Sequence, residues 1–397
     1  MKSDTDVSIH GSSLQGKRIL LAISGGIAAT ESVKISRELR RHGAIVTAMM
    51  TNSAKKIISP LAVSWGSGSE VQGDWRPEMA QLGHFDGVLL APATRNTIAK
   101  HVNGIIDSPV LMALAASMGN STPVMFVPSM HEDLFDNPVT SELLDSLRQS
   151  GIFVLVDDPE EGKRKQPAPV SVVANFSNCI NKSLSGRKKV VITLGANRAP
   201  IDSVRAIHNT STGRTGWAMA EHLHRMGHEV ICISGHTSTF PSFNLPYVRT
   251  EPSPEGMLSA TIELAKSTSK PDAWIHCAAI LDYIPEFTSG KNPSGDGPWE
   301  ITLHPGPKHL AELSSHVNGS IQIGFKLEVT ASEEKLNDSA MGLIHRYGLD
   351  AVVANQLSEA EGESEIRCRI ITPDGNSKVI ENQTHLCEHI EYTISND

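Results

Sequence analysis

Short continuous apolar runs, each closed by small or polar residues, set the rhythm of the chain. Residues 17–23 (KRILLAI) form the first. Ser24-Gly25-Gly26 ends it, and Val33, Ile35 and Leu39 then recur at helical spacing up to His42-Gly43. Residues 44–50, 86–92 and 123–127 are further runs of this kind, with helical stretches at 98–102 and 110–117 between the last two. Unbroken apolar character predicts strands covered on both faces, as in parallel sheets, and their alternation with helices predicts right-handed βαβ units. Residues 17–178 therefore read as a flavodoxin-like, doubly wound α/β domain.

The rhythm restarts after a basic stretch. Residues 190–194 are a strand run, Gly195 opens a polar loop, and Asn209-Thr-Ser-Thr-Gly213-Arg-Thr-Gly216 leads into a helical pattern from Trp217. Strands follow at 227–235, 272–276, 321–328 and 350–355, a helix at 333–347, and a closing hairpin at 367–380 that turns on Asp374-Gly375. This predicts a second, Rossmann-like α/β domain over residues 189–397. Residues 1–16, polar throughout except for isolated apolar positions, are expected to be a disordered tail, and 179–188 a linker. A strand that ends in a small-residue loop feeding a helix offers backbone N–H groups to a phosphate, and residues 188–216 have that form.

Composition narrows the classes. The formal net charge of −9 argues against a nucleic-acid partner, which needs a basic face. Five cysteines are scattered without metal-ligand spacing, which fits a reducing compartment. No run is long and apolar enough for a membrane span and the N-terminus is not a signal peptide, so a cytoplasmic, membrane-free protein is expected.

Taken alone, SGGIAA at 24–29 is a tight βα turn and not GxGxxG, and Thr94 to Asn96 could simply cap a helix. In order along the chain, however, SGGIAA, MTNSA, ISPLAVSWGSG, APATRNTIAKHVNGIID and VPSMHEDLFDNP resemble the flavin-binding decarboxylase family that acts on 4'-phosphopantothenoylcysteine. The resemblance implies FMN across three strand ends, contacted by Gly25, Gly26, Ala28, Ser53, Pro92, Thr94 and Asn96. It also implies oxidation of the cysteinyl thiol, loss of CO2 and return of the electrons, with no net redox change. Three positions depart from the family pattern. Glu78 falls where the family has a catalytic His, with His84 nearer the strand. His131 in PSMH replaces the common Asn and is a candidate ligand for the substrate carboxylate, as in an archaeal-type branch. The loop at 157–165 has no cysteine, but Lys163 and Lys165 could hold a phosphate there.

The second half resembles phosphopantothenate–cysteine ligase, the fusion partner of that decarboxylase. GANRAPID at 195–202, followed by Arg205, matches the pattern GPTREPID, and the following motif places the family's acyl-holding Asn on Asn209. By the same carry-over, Gly195, Arg205, Ala279, Lys308, Phe325 and Arg346 line the substrate and nucleotide site. Asp282 would accept from the exocyclic amine of a base, which cytosine has and uracil lacks. Lys291, in a Gly/Ser/Pro-rich flap at 287–299, would stabilise the acyl-phosphoryl transition state. Gly306 stands where the family has Asn. The resemblance implies CTP, 4'-phosphopantothenate and cysteine as substrates, Mg²⁺ with the triphosphate, ligands of the metal unassigned, and homo-oligomers built as trimers of flavin domains and dimers of ligase domains. An active ligase carrying a decarboxylase-inactive flavin domain, and a non-catalytic flavin-binding regulatory protein, are the alternatives. A nucleotide-dependent reductase would need a dinucleotide fingerprint after Leu194, and GANRAPID is not one.

Overall fold

A computed structural model describes residues 4–75, 83–295, 297–361 and 365–396. The chain divides into two units, residues 1–183 with 225–227, and residues 184–224 with 228–397.

The first unit contains β1 (Arg18–Ile23), α1 (Ser32–Arg41), β2 (Ile45–Met50), α2 (Pro60–Ser67), β3 (Gly87–Ala93), α3 (Arg95–Val102) and α4 (Pro109–Gly119). It continues with β4 (Val124–Pro128), β5 (Met130–His131), α5 (Glu132–Phe135), α6 (Pro138–Gln149), β6 (Phe153–Val154), β7 (Lys163–Arg164) and α7 (Pro169–Asn181). Its main sheet is parallel, in the order β2-β1-β3-β4-β6, the doubly wound order expected from the sequence. One face is packed by Ile35, Leu39, Val172, Val173 and Phe176 from α1 and α7. The other is packed by Ile98, Val110, Leu114, Leu144 and Leu147 from α3, α4 and α6. Helix starts follow local chemistry: Ser59, Ser108 and Asn137 each cap a helix through a side-chain oxygen, with Pro next in line.

Two expectations at the borders of this unit need correction. The segment before β1 is not a disordered tail over its whole length. Leu14 is fully buried in the core beneath α1 and α7, and the backbone there pairs with residues 41–43. Ser13 is buried with it, its hydroxyl bonded to Ser177 Oγ at 3.2 Å. One apolar residue in a polar stretch is enough to anchor it, and a single position has no periodicity to read. Nor do 179–181 belong to a linker: α7 runs to Asn181, with Cys179 and Ile180 buried on its inner face.

The second unit contains β8 (Lys189–Leu194), β9 (Arg198–Pro200), β10 (Ala206–His208), α8 (Arg214–Arg225), β11 (Glu229–Ser234), β12 (Val248–Thr250) and α9 (Pro254–Ala265). Then come β13 (Ala273–His276), β14 (Tyr283–Pro285), β15 (Leu303–Pro305), α10 (His309–Ser314), β16 (Ile321–Glu328) and α11 (Glu333–Tyr347). β17 (Ala351–Gln356), α12 (Leu357–Glu361), β18 (Cys368–Ile371), β19 (Ser377–Ile380) and α13 (Gln383–Asn396) complete it. The sheet order is β12-β11-β8-β13-β16-β17-β18-β19, parallel as far as β17 and antiparallel for the closing hairpin. Its first six strands have the Rossmann order, which reverses between β8 and β13.

α13 is tied to the start of this unit by a half-hidden cluster. Arg187 donates to Glu391 at 2.6 Å, Ser395 donates to it at 2.8 Å, and His228 Nε2 lies 3.5 Å away. Burial raises the Glu391 carboxyl, but the bonds from His228, Ser395 and Arg187 prevail and bring it down to about 2. A carboxyl held below its unfolded value contributes stability that is complete above about pH 4.5 and is lost as pH falls towards 2. Glu391→Gln is therefore expected to lower stability by roughly 3 kcal/mol at pH 7. In urea melts the gap to wild type should narrow steadily between pH 4.5 and pH 2. A gap independent of pH would show that the charge of Glu391 is not the source.

Candidate functional sites at two switch points

In open parallel sheets the crevice for a ligand opens at the carboxyl ends of the strands, where the order reverses. In the first unit that point lies between β1 and β3. The loops there are locked together. Ser24, fully buried, donates to Pro92 O at 2.7 Å and accepts from the Thr94 amide at 2.8 Å. A Cβ on Gly25 would stand 2.2 Å from Ser53 Cβ, so the loops after β1 and β2 touch through that glycine. A Cβ on Gly26 would instead enter the space beside Thr94 Cγ2 and Pro92, at 3.4 and 4.0 Å. Ala28 is half-buried in the single helical turn that follows, Ser53 is exposed on the loop after β2, and Asn96 is exposed in the first turn of α3. The structure thus brings all seven residues expected to contact a flavin to one edge. Small residues leave room, and the groups offered are neutral hydroxyls, an amide and backbone N–H, which suits a flat polar ring. Ser24, which holds two of these loops together, was not among the expected residues; a hydroxyl just before a double glycine was its only mark.

His131 is exposed on β5 and pairs across the ribbon with Lys163 of β7. The loop at 157–165 thus folds back beside it, with the Arg164 guanidinium 4.8 Å from the centre of the Phe135 ring. Lys165 is already paired with Glu160 and Glu161, at 3.0 and 2.8 Å, which leaves Lys163 as the better placed of the two lysines for an anion. His84 is exposed before β3, and Glu78 lies outside the described residues.

In the second unit the switch point lies between β8 and β13. Gly195 takes φ +80° directly after β8, a conformation that favours glycine, and its carbonyl accepts from Ala279 N at 2.8 Å. Asn197 N donates in turn to Ala279 O at 3.0 Å, and Asn209 Nδ2 donates to the same oxygen at 3.0 Å. Gly195, Asn209 and Ala279 therefore meet at one point, as the sequence implies. His236 joins them from the loop after β11, exchanging backbone hydrogen bonds with Ala196.

Asp282 and Lys308 also come together, as a direct ion pair that raises the lysine further. Gly306 explains its own departure from the family pattern: a Cβ there would lie 2.7 Å from Leu281 O, so an Asn would not fit this backbone. Phe325 is half-buried near the carboxyl end of β16. Arg346 does not join the group. It is exposed in the last turn of α11, which runs back from the carboxyl end of β16 towards the start of β17, and so it ends at the amino side of the sheet. The family resemblance named the residue, and a helical pattern does not say which end of the sheet it meets.

Arg205, expected to line the substrate and nucleotide site, is paired within the protein. Its guanidinium donates to Asp202 Oδ2 at 2.7 Å and to Asn292 O at 3.1 Å, and it lies 5.0 Å from the centre of the Trp299 ring. Asp202 is almost fully buried, and although burial raises its carboxyl, the Val204, Arg205 and Asn292 amides and the Arg205 side chain hold it down at about 2. Burial also holds the thiols of Cys277 and Cys368 up at about 12, so neither is an activated nucleophile.

Residues 7–181 match the flavoprotein family, and residues 184–394 match the family described as DNA/pantothenate metabolism flavoprotein C-terminal domain. The coenzyme A biosynthesis bifunctional protein CoaBC of Thermococcus kodakarensis is 36% identical over 374 residues, 92% of this chain and 91% of that protein. CoaBC of Methanocaldococcus jannaschii is 33% identical over 383 residues, 95% and 93% of the two chains. Among solved structures, a DNA/pantothenate metabolism flavoprotein from Streptococcus pneumoniae is 24% identical, with a TM-score of 0.47, over 52% of this chain and 98% of that one. Two domain families in this order, and relatives alike across nearly the whole length, place the chain in the CoaBC family of bifunctional coenzyme A biosynthesis proteins.

Proposed function

We propose that the two switch points carry two consecutive steps of coenzyme A biosynthesis. The second unit joins cysteine to 4'-phosphopantothenate, and the first decarboxylates the product, 4'-phosphopantothenoylcysteine, to 4'-phosphopantetheine. The observation that carries this is the meeting of Gly195, Asn209 and Ala279 at a strand-order reversal, in one chain with a second, glycine-lined reversal.

In the ligase step the phosphopantothenate carboxylate attacks the α-phosphate of CTP and pyrophosphate leaves. The amine of cysteine then attacks the acyl carbon and CMP leaves. Asn209 spends one N–H on Ala279 O and keeps its other N–H and its Oδ1 to hold the acyl group. Lys291 faces the charge that develops during transfer. Asp282 accepts from the exocyclic amine of cytosine once Lys308 turns to the phosphates. Mg²⁺ would accompany the triphosphate and offset its charge, its ligands unassigned. With thiols held at about 12, a protein thioester is a poor route, which favours the acyl-nucleotide.

In the decarboxylase step Gly25, Gly26, Ala28, Ser53, Pro92, Thr94 and Asn96 would hold FMN, which would supply the means to take up and return the electrons of the cysteinyl thiol. His131 and Lys163 hold the substrate's anionic groups. Trimers through the first unit would cover Ile27 and Leu61, 78% and 80% exposed in the single chain. Dimers through the second unit complete the assembly. A cytoplasmic setting agrees with the absence, among the described residues, of a helix long and apolar enough to cross a membrane.

The test is a pair of assays on one preparation. Protein with FMN should release CO2 from 4'-phosphopantothenoylcysteine, and with phosphopantothenate, cysteine and Mg²⁺ should release pyrophosphate faster from CTP than from ATP. Bound flavin without CO2 would leave only the ligase. ATP preferred over CTP would remove the role given to Asp282.

A further inference from the structure

The flap at 287–299 has the composition of a mobile loop, yet its first residues are fastened. Thr288 N donates to Ile201 O at 3.0 Å, and Ser203 N to Gly290 O at 2.9 Å. Gly290 N donates to Ser203 Oγ at 3.2 Å, and Asn292 N to Asp202 Oδ2 at 3.1 Å. Arg205 closes the arrangement from the other side by donating to Asn292 O at 3.1 Å. Lys291 is therefore bracketed by two residues whose backbones are both tied to the 202–205 turn. Its own side chain is exposed.

Asp202 is the centre of this fastening. Oδ1 accepts the amides of Val204 and Arg205, at 2.8 and 2.7 Å, which shapes the turn. Oδ2 accepts the Arg205 guanidinium at 2.7 Å and the Asn292 amide at 3.1 Å, which joins the turn to the flap. All four partners are donors, so the site needs a group that only accepts, and an ionised carboxylate is one. A carboxamide in the same place would turn an NH2 towards donors on one side or the other.

We infer that Asp202 is a positioning residue of the ligase: by fastening Gly290 to Asn292 onto the 202–205 turn, it fixes where Lys291 meets the acyl-phosphoryl transition state. This rests on the role given to Lys291 above. It assigns Arg205 to the same device, as the clamp over the flap base and Trp299. Lys291 thus belongs to a fixed rim of the site.

The test compares Asp202→Asn, Asp202→Glu, Lys291→Ala and the double variant Asp202→Asn/Lys291→Ala. Single-turnover pyrophosphate release is measured at saturating CTP and phosphopantothenate, with amide hydrogen exchange on the same proteins. A misplacement of about 1 Å costs on the order of 10²-fold in rate, and that is the loss expected for Asp202→Asn, with KM for phosphopantothenate changed far less. Asp202→Glu keeps an acceptor-only group and should recover part of the rate. The double variant should be no slower than Lys291→Ala, and the Asn292 amide should exchange faster in Asp202→Asn. Rate losses that multiply in the double variant would overturn the inference, as would an Asn292 amide that exchanges at the wild-type rate. A wild-type rate in Lys291→Ala would overturn it through the role of Lys291. Faster exchange at Asn292 would then show that the fastening itself is real and that the fault lies in the reading beneath it.

Discussion

Replacing Asn209 by Asp is expected to lower pyrophosphate release from CTP and phosphopantothenate by about 10²–10³-fold, the loss typical of one positioned donor at a charged transition state. The geometry explains why so small a change should cost so much. Asn209 Nδ2 donates to Ala279 O at 3.0 Å, and that oxygen also receives the Asn197 amide. An Asp would set a carboxylate oxygen against the same carbonyl, acceptor facing acceptor, so the side chain would swing away. It would also add negative charge where, on the proposed mechanism, a carboxylate and a triphosphate approach each other. Asn209→Ala removes the donor without adding charge and should lose less. CO2 release from 4'-phosphopantothenoylcysteine depends on the other unit and serves as the control within the same molecule. Full pyrophosphate release by the Asn209→Asp protein would place acyl activation elsewhere.

Much of this site was legible because its parts are strung in order along the chain. Gly195, Asn209 and Ala279 each follow a strand run or precede a helical one, and parallel βαβ topology then brings such points to one edge. What the sequence did not disclose are relations across loops. Asp202 lies inside the GANRAPID motif, but its bond from the Asn292 amide joins positions whose separation carries no periodic signal. Arg346 shows the reverse error, since a helical pattern predicts the helix well and says nothing of which end meets the ligand. Leu14 is a similar case at the N-terminus: one buried apolar side chain, with Ser13 and backbone bonds beside it, marks the stretch before β1 as packed. The glycines stand between these cases. Their loops could be read as tight turns, whereas the difference between Gly25, where a Cβ would collide with Ser53, and Gly26, where it would make only ordinary contacts with Thr94 and Pro92, exists only in three dimensions.

That difference yields an expected result of its own. In Gly25→Ala the new Cβ meets Ser53 Cβ at 2.2 Å and the backbone carbon of Ser53 at 2.8 Å, so the loops after β1 and β2 must part. Overpacking of this kind costs about 1–3 kcal/mol, and the thermal stability of the first unit should fall with flavin retention. In Gly26→Ala the new Cβ lies 3.4 Å from Thr94 Cγ2 and 4.0 Å from Pro92 Cγ, ordinary contacts, so the unliganded protein should melt as wild type does. The added methyl occupies the space between the loops after β1 and β3, where the flavin is proposed to lie. FMN affinity should therefore drop by at least about tenfold, roughly 1.4 kcal/mol, and CO2 release should fall with it at limiting FMN. Titration of apoprotein with FMN by fluorescence quenching, paired with melting curves without flavin, separates the two variants. If Gly26→Ala binds FMN as tightly as wild type, the flavin does not lie against Gly26 and Thr94, and the assignment of that edge must be redrawn. If Gly25→Ala is as stable as wild type, the contact between the first two loops gives way more easily than its backbone neighbours imply. The two results are independent, because one reads the protein without its ligand and the other reads the space kept for it.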